Sequence, residues 1–63
     1  MTNFKEHDIV YVKFELSEDG RSIPKYTHGT IVHVYSEFAY VVEFFVDSNA
    51  PVVKTVIHDQ IYK

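Results

Sequence analysis

Four short segments of this chain are rich in valine, isoleucine, tyrosine and phenylalanine, and polar turn-forming residues separate them. Within each segment the apolar side chains recur at every second position or form a short solid run, a pattern typical of β-strands. β-Branched and aromatic side chains pack well on a pleated backbone and are weaker helix formers. The sequence therefore predicts an all-β fold, with helix the weaker alternative throughout.

The predicted strands follow the positions of these apolar residues. They cover residues 8–14, 30–35, 38–46 and 52–58. In the first strand Val10 and Val12 are expected to face the core, because every second side chain of a strand lies on the same face. In the third strand one face is predicted to carry Tyr40, Val42 and Phe44, and the other Ala39, Val41, Glu43 and Phe45.

The connections are predicted from turn-forming residues. Residues 36–37 are short enough for a tight antiparallel hairpin, and residues 47–51 end the third strand and form a second hairpin. After the last strand, residues 59–60 are expected to make a single turn that places Ile61 or Tyr62 beneath the sheet.

Residues 15–28 differ in composition from the strands, being rich in Ser, Glu, Asp, Arg and Pro. Asp19-Gly20 is a turn signal and Pro24 breaks strands, so a long surface loop is predicted here. Loops longer than about 12 residues are usually functional or disordered, which makes this one a candidate binding element. Gly29 follows the loop and is expected to supply a positive φ or a close backbone approach.

This order of elements is that of a small SH3-like barrel, with a long first loop, tight turns and a terminal single turn. We expect four to five strongly bent antiparallel strands in a single domain over residues 1–63. A flat open meander is the poorer choice, because it leaves one face of the apolar third strand in water.

The chain also resembles a family of very short bacterial proteins described as a domain of unknown function. The residues that carry the resemblance are Phe4-x-Glu6-x-Asp8-x-Val10, Gly29-Thr30-Ile31-Val32-x-Val34, Tyr40-x-Val42-Glu43-Phe44 and Asp59-Gln60-Ile61. The second motif is similar to the second strand of many SH3-like barrels. Residues 21–26 depart from the family pattern in lacking a glycine. Members of this family lie beside genes for toxin-like proteins, so the resemblance implies an immunity or antitoxin role in bacteria.

The chain contains no cysteine, which excludes a disulfide, a thiolate zinc site and a thiol nucleophile. Secreted proteins this small normally carry cysteines, so a cytoplasmic location is expected. Residues 1–8 are polar and charged, unlike a signal peptide. No apolar run approaches the roughly 18 residues needed to cross a bilayer, and we expect no association with membranes.

The charge balance favours a basic partner over nucleic acid. Nine carboxylates against six basic residues give a formal net charge of -3. Phosphate contacts need clustered bases. The bases of this chain are scattered singly, at Lys5, Lys13, Arg21, Lys25, Lys54 and Lys63.

Four histidines are the candidate catalytic or metal-binding groups. His28 and His33 are five residues apart, which places them on opposite faces of a regular strand, and neither has a carboxylate at ligand spacing. The histidines at positions 7 and 58 each precede an aspartate, but neighbouring side chains on a strand point to opposite sides. The sequence therefore predicts no catalytic residue, no metal ligand and no cofactor, and we expect a protein that is not an enzyme.

Five tyrosines and five phenylalanines exceed what so small a core can hold, so some must be exposed as an interface. We predict a protein-binding module that neutralises a toxin or nuclease, with homodimer formation as a further possibility. The predicted contact residues are Glu15, Glu18, Asp19, Tyr11, Val41, Glu43 and Phe45. The alternatives are an RNA- or ribosome-associated module and a small stabilising subunit of a larger assembly.

Overall fold

A computed structural model describes residues 3–47 and 50–63. These residues form an all-β fold, as the apolar pattern predicted. Its elements are β1 (Ile9–Val12), β2 (Leu16–Glu18), β3 (Arg21–Ile23), β4 (His28–Val34), β5 (Ala39–Phe44), β6 (Val52–Ile57), a 3₁₀ turn (His58–Gln60) and β7 (Ile61–Tyr62). In this part of the chain there is no helix of the length and apolarity that spanning a bilayer requires.

Five of the strands form one antiparallel sheet in the order β6-β5-β4-β1-β7, and β2 and β3 form a separate hairpin. The large sheet curls into a half-barrel, and the arrangement is that of a small SH3-like barrel. The hairpin packs on the concave side, where Ile23 of β3 is completely buried among the core residues of the sheet.

The core is made from alternate side chains of the strands and from single residues of the flanking segments. Its members are Phe4, Val10, Val12, Ile23, Ile31, Tyr40, Val42, Phe44, Val52, Val56 and Ile61. Burying an apolar side chain of this size stabilises the fold by about 1.5–3 kcal/mol. The buried Tyr40 hydroxyl donates a hydrogen bond to the Glu37 carbonyl at 2.7 Å, so its polar atom keeps a partner. The predictions for Val10, Val12 and Ile61 are confirmed.

The prediction of a long surface loop over residues 15–28 is wrong, because β2 and β3 lie within it. The chain turns at Asp19 and Gly20, which have φ of 54° and 77°. Positive φ at both central residues fits the twist of a two-residue hairpin. Each strand has only three residues, and Leu16 of β2 pairs with Ile23 of β3. One apolar residue in each strand is too few to show the period-two alternation by which a strand is predicted from sequence. β3 ends at Ile23, directly before Pro24, which agrees with the prediction that this proline breaks a strand.

A β-bulge in β4 overturns the predicted orientation of two histidines. Opposite β5, Ile31 pairs with Val42 and His33 pairs with Val41, so Val32 is an extra residue. A bulge of this kind reverses the alternation of faces beyond it. His33 therefore lies on the same face of the sheet as His28, and not on the opposite one.

The connections also differ in detail from the prediction. Four residues, 35–38, join β4 to β5 in place of a two-residue turn, with the Tyr35 and Ser36 N–H groups both donating to the Ala39 carbonyl. Of the predicted turn at 47–51, Ser48 and Asn49 lie outside the described residues. After β6 the predicted single turn is present as the 3₁₀ turn.

Gly29 is required by close approach and not by a positive φ. A Cβ built on it would lie 2.7 Å from Val42 Cγ1, 2.8 Å from Phe44 Cδ1 and 2.9 Å from the Glu43 carbonyl oxygen. Two of these neighbours belong to the core, so β4 and β5 pack together too closely here for any side chain.

Candidate functional site

The convex side of the large sheet, which we call the outer face, is the most distinctive surface of the protein. It consists of the side chains that alternate with the buried ones. These are Ile9, Tyr11, His28, Thr30, His33, Ala39, Val41, Glu43, Phe45, Val53, Thr55, Ile57 and Tyr62. Most are apolar or aromatic, and six of the thirteen are exposed large hydrophobic side chains.

A row of four aromatic rings crosses the outer face. Tyr11 pairs in register with Tyr62 on one side and with His28 on the other, and the Phe45 N–H donates to the His28 carbonyl. The two tyrosine rings are 5.6 Å apart between centroids, and the His28 and Phe45 rings are stacked at 5.4 Å. Strand pairing therefore brings together rings from four segments of the chain. We call this set the aromatic row.

Glu43 lies next to the aromatic row and is the one carboxylate of the outer face. Its cross-strand neighbours are Thr30 on β4 and Val53 on β6, and Phe45 follows two residues later on the same side. The side chain is half-buried, and among residues 3–47 and 50–63 no ion pair or side-chain hydrogen bond reaches it. The outer face thus places an unpaired carboxylate between Thr30 and Val53 and close to the Phe45 ring.

The structure separates the predicted contact residues into two groups. Tyr11, Val41, Glu43 and Phe45 all belong to the outer face. The acidic residues Glu15, Glu18 and Asp19 belong instead to the β2–β3 hairpin on the concave side. The predicted burial of Tyr40, Val42 and Phe44 is confirmed, and so is the outward position of Phe45.

The acidic residues of the hairpin are mostly engaged within the chain. Glu15 accepts a hydrogen bond from the Ser22 hydroxyl. Glu18 forms an ion pair with Lys54 Nζ at 3.2 Å, which ties the hairpin to β6. Asp19 occupies the hairpin turn. Glu15 and Glu18 therefore help to hold the hairpin in place.

A polar cleft of about 620 Å³ lies between the hairpin, Lys54 of β6 and Gln60 of the 3₁₀ turn. Its cations already have partners within the chain. Lys54 pairs with Glu18, and Arg21 contacts Asp47 Oδ1 at 3.7 Å and donates to the Ala50 carbonyl at 3.0 Å. The outer face, with its unpaired carboxylate, is the better candidate site.

Three of the four histidines contact aromatic rings. His28 stacks on Phe45, His33 meets Tyr35 edge to face at 4.8 Å, and His58 lies 5.1 Å from the Phe4 ring. His58 Nδ1 is also 3.5 Å from an oxygen of Asp59. No group of three His, Cys, Asp or Glu side chains is arranged to hold a metal ion in the described part of the chain.

Sequence reasoning missed several residues of the outer face. The alternation of side chains that predicted an outward Tyr11 also predicts outward positions for Ile9, Val53 and Ile57, so these three could have been found from the sequence. His28 could not be found in this way, because it lay inside the predicted loop. Tyr62 enters the aromatic row only through the pairing of β7 with β1.

Comparison with known proteins gives no further guide to the site. No family model, no curated protein and no solved structure matches this chain.

Proposed function

We propose that this chain is a non-catalytic protein-binding module that contacts its partner through the outer face. The observation that supports this is the concentration of exposed apolar and aromatic side chains on one side of the sheet. Soluble monomers rarely expose contiguous apolar patches above a few hundred Å², and larger ones usually mark binding surfaces. Aromatic residues are also enriched in the centres of protein interfaces.

The partner is proposed to be a basic protein. The chain carries a net charge of -3, and within residues 3–47 and 50–63 the acid of the outer face forms no ion pair. Opposite charge speeds association and disfavours incorrect partners. In line with the family resemblance, the proposed partner is a toxin or nuclease of the bacterial cytoplasm that is inhibited by direct binding.

An RNA-binding role is the competing proposal, because a row of aromatic rings can also stack nucleic-acid bases. Such sites combine the rings with a positive groove that follows the phosphates. No lysine or arginine is among the outer-face residues named above. Lys13 and Lys63 lie only at its rim beside Tyr62, and Lys54 and Arg21 are paired on the concave side. This charge distribution favours a protein partner.

Site-specific photo-crosslinking in cells tests the proposal. A photoreactive amino acid at position 45 or 11 should capture one defined protein, whereas the same group at the exposed Phe14, outside the outer face, should not. The captured protein is then purified and its affinity measured. Phe45→Ala should weaken binding by about 2 kcal/mol or more, as loss of an interface anchor does.

The matched control is Phe14→Ala, which removes an equally large exposed ring and should leave the affinity unchanged. Capture of RNA at both outer positions would replace the proposal with the competing one. Equal loss of affinity in the two alanine variants would show that the outer face is not the contact surface.

A further inference from the structure

We propose that the outer face recognises an arginine of the partner, bound by the Glu43 carboxylate with its guanidinium against the Phe45 ring. This inference rests on the proposed function and specifies the chemistry of its contact. Three observations carry it: the state of Glu43, the ring beside it and the charge of the surrounding face.

The state of Glu43 calls for a cation from outside the chain. Its side chain is already half-buried, and its neighbours across the sheet are Thr30 and Val53. A partner that covers the outer face removes the remaining water from this carboxylate. An ionised carboxylate without water or a cation is strongly unfavourable, so the partner must supply a positive charge at this point.

The aromatic ring beside Glu43 favours arginine over lysine. Phe45 is two residues further along on the same face, roughly 7 Å away by strand geometry. One side of its ring is stacked on His28, and the residue is 40% exposed, which leaves the other side of the ring for the guanidinium. A planar guanidinium can stack on an aromatic ring while it donates two parallel hydrogen bonds to one carboxylate. Lysine is a compact point charge and cannot satisfy both groups with the same geometry.

The charge of the surrounding face argues for a different protein as the occupant. The outer face of a second copy would present the same carboxylate and no arginine. Lys13 and Lys63 lie at the rim beside Tyr62, and Lys63 is paired with Asp8 at 3.3 Å. Charge complementarity therefore favours a basic partner over self-association.

The test is a selection of random peptides displayed on phage against the immobilised full chain. The baits are the wild type, Glu43→Gln, Glu43→Lys and Phe45→Ala, each checked for an unchanged thermal unfolding curve. We expect peptides selected by the wild type to share an arginine at one position. Glu43→Lys should instead select aspartate or glutamate there, because the charge requirement is reversed.

Affinities of a selected peptide give the quantitative result. Replacing its arginine with lysine, or Glu43 with Gln, should weaken binding about ten-fold or more, as expected for loss of a charge-assisted hydrogen bond. Phe45→Ala should weaken the arginine peptide more than its lysine counterpart, since only the guanidinium stacks on the ring.

The remaining outcomes separate this inference from the proposed function. Peptides that depend on Phe45 but contain no shared arginine would overturn the arginine site and leave the binding face intact. Peptides that bind all baits equally would overturn both. A concentration-dependent dimer that Glu43→Gln strengthens would assign the face to a second copy and overturn the inference.

Discussion

Phe44 and Phe45 are neighbours in the chain, but the sheet gives them opposite surroundings. Phe44 is completely buried, whereas Phe45 is 40% exposed and stacks on His28. The cause is the alternation of side chains along an extended strand. Because Glu43 shares the side of Phe45, the same alternation places an unpaired carboxylate and an aromatic ring together on the outer face.

Alanine substitutions of the two phenylalanines should therefore have different consequences. Phe44→Ala removes a fully buried ring and should destabilise the fold by about 3–5 kcal/mol. Phe45→Ala changes a surface position, and its effect on stability should stay within about 0.5 kcal/mol. Urea unfolding followed by circular dichroism measures both. If Phe45→Ala loses more stability than Phe44→Ala, the two faces of β5 are assigned the wrong way round.

Gly29 is a second position where a single atom decides stability. Gly29→Ala would place a Cβ within 2.9 Å of the Glu43 carbonyl oxygen, and backbone atoms cannot move aside as a flexible side chain can. Overpacking of this kind typically destabilises a core by about 1–3 kcal/mol. Thermal unfolding of Gly29→Ala should show this loss. Unchanged stability would contradict the close packing of β4 and β5.

Asp8 gives the fold a dependence on pH. The Lys5 N–H donates to Asp8 Oδ2 at 2.9 Å, and Lys63 Nζ lies 3.3 Å from the same oxygen. The Lys5 hydrogen bond and, to a lesser degree, the Lys63 ammonium lower the pKa of Asp8 below its ordinary value. A carboxylate with a lowered pKa stabilises the folded state above its unfolded pKa, and this contribution is lost as the pH falls through the folded value.

Asp8→Asn should accordingly be less stable than the wild type at neutral pH. The two unfolding curves should converge as the pH falls below about 4, the ordinary range of an aspartate. Thermal unfolding across this range is the measurement, and Asp19→Asn serves as the control because Asp19 has no such hydrogen bond in the described chain. A difference that stays constant with pH would exclude the ionised carboxylate as its source.

At the scale of elements, the bulge in β4 determines which side chains the outer face contains. Val32 is the extra residue, so His33 points outward and Val34 packs against the core. If β4 contained Val32 but had no bulge, His33 would point into the core and Val34 would point outward. A slip of one residue moves every later side chain to the other face. The outer face therefore depends on one inserted residue.

Deleting Val32 should destabilise the fold much more than truncating it. The deletion makes Ile31 and His33 consecutive opposite Val42 and Val41, which keeps His33 outward but removes the local bend and twist that the bulge gives to β4. Val32→Ala keeps the bulge and should change stability by less than about 1 kcal/mol. Unfolding of the two variants side by side tests this. A deletion variant as stable as the wild type would show that the bulge has no structural role.

At the scale of the whole molecule, the core draws residues from widely separated parts of the chain. Phe4, Ile23 of the hairpin and Ile61 of β7 all join the side chains of the large sheet. Glu18 and Arg21 add contacts from the hairpin to β6 and to the Ala50 carbonyl. In a chain of 63 residues, every segment that contributes to the core provides an appreciable share of its stability.

The hairpin and the sheet should consequently unfold together. In urea, amide signals from residues 16–23 and from β5 should disappear with one midpoint, as expected for a two-state domain. Ile23→Ala should lower both midpoints and destabilise the fold by about 2–5 kcal/mol. Loss of the hairpin signals alone, at a lower urea concentration, would show that it is a separate mobile element.

The amino-acid pattern was sufficient for those features that depend on local backbone geometry. Period-two alternation gave the all-β class, the buried positions of β1 and β5 and the outward position of Phe45. Tertiary structure alone decided the rest. The β2–β3 hairpin is held by the burial of Ile23, and the bulge at Val32 by pairing with β5. The aromatic row depends on cross-strand register, which joins residues distant in sequence, and no local pattern encodes such a contact.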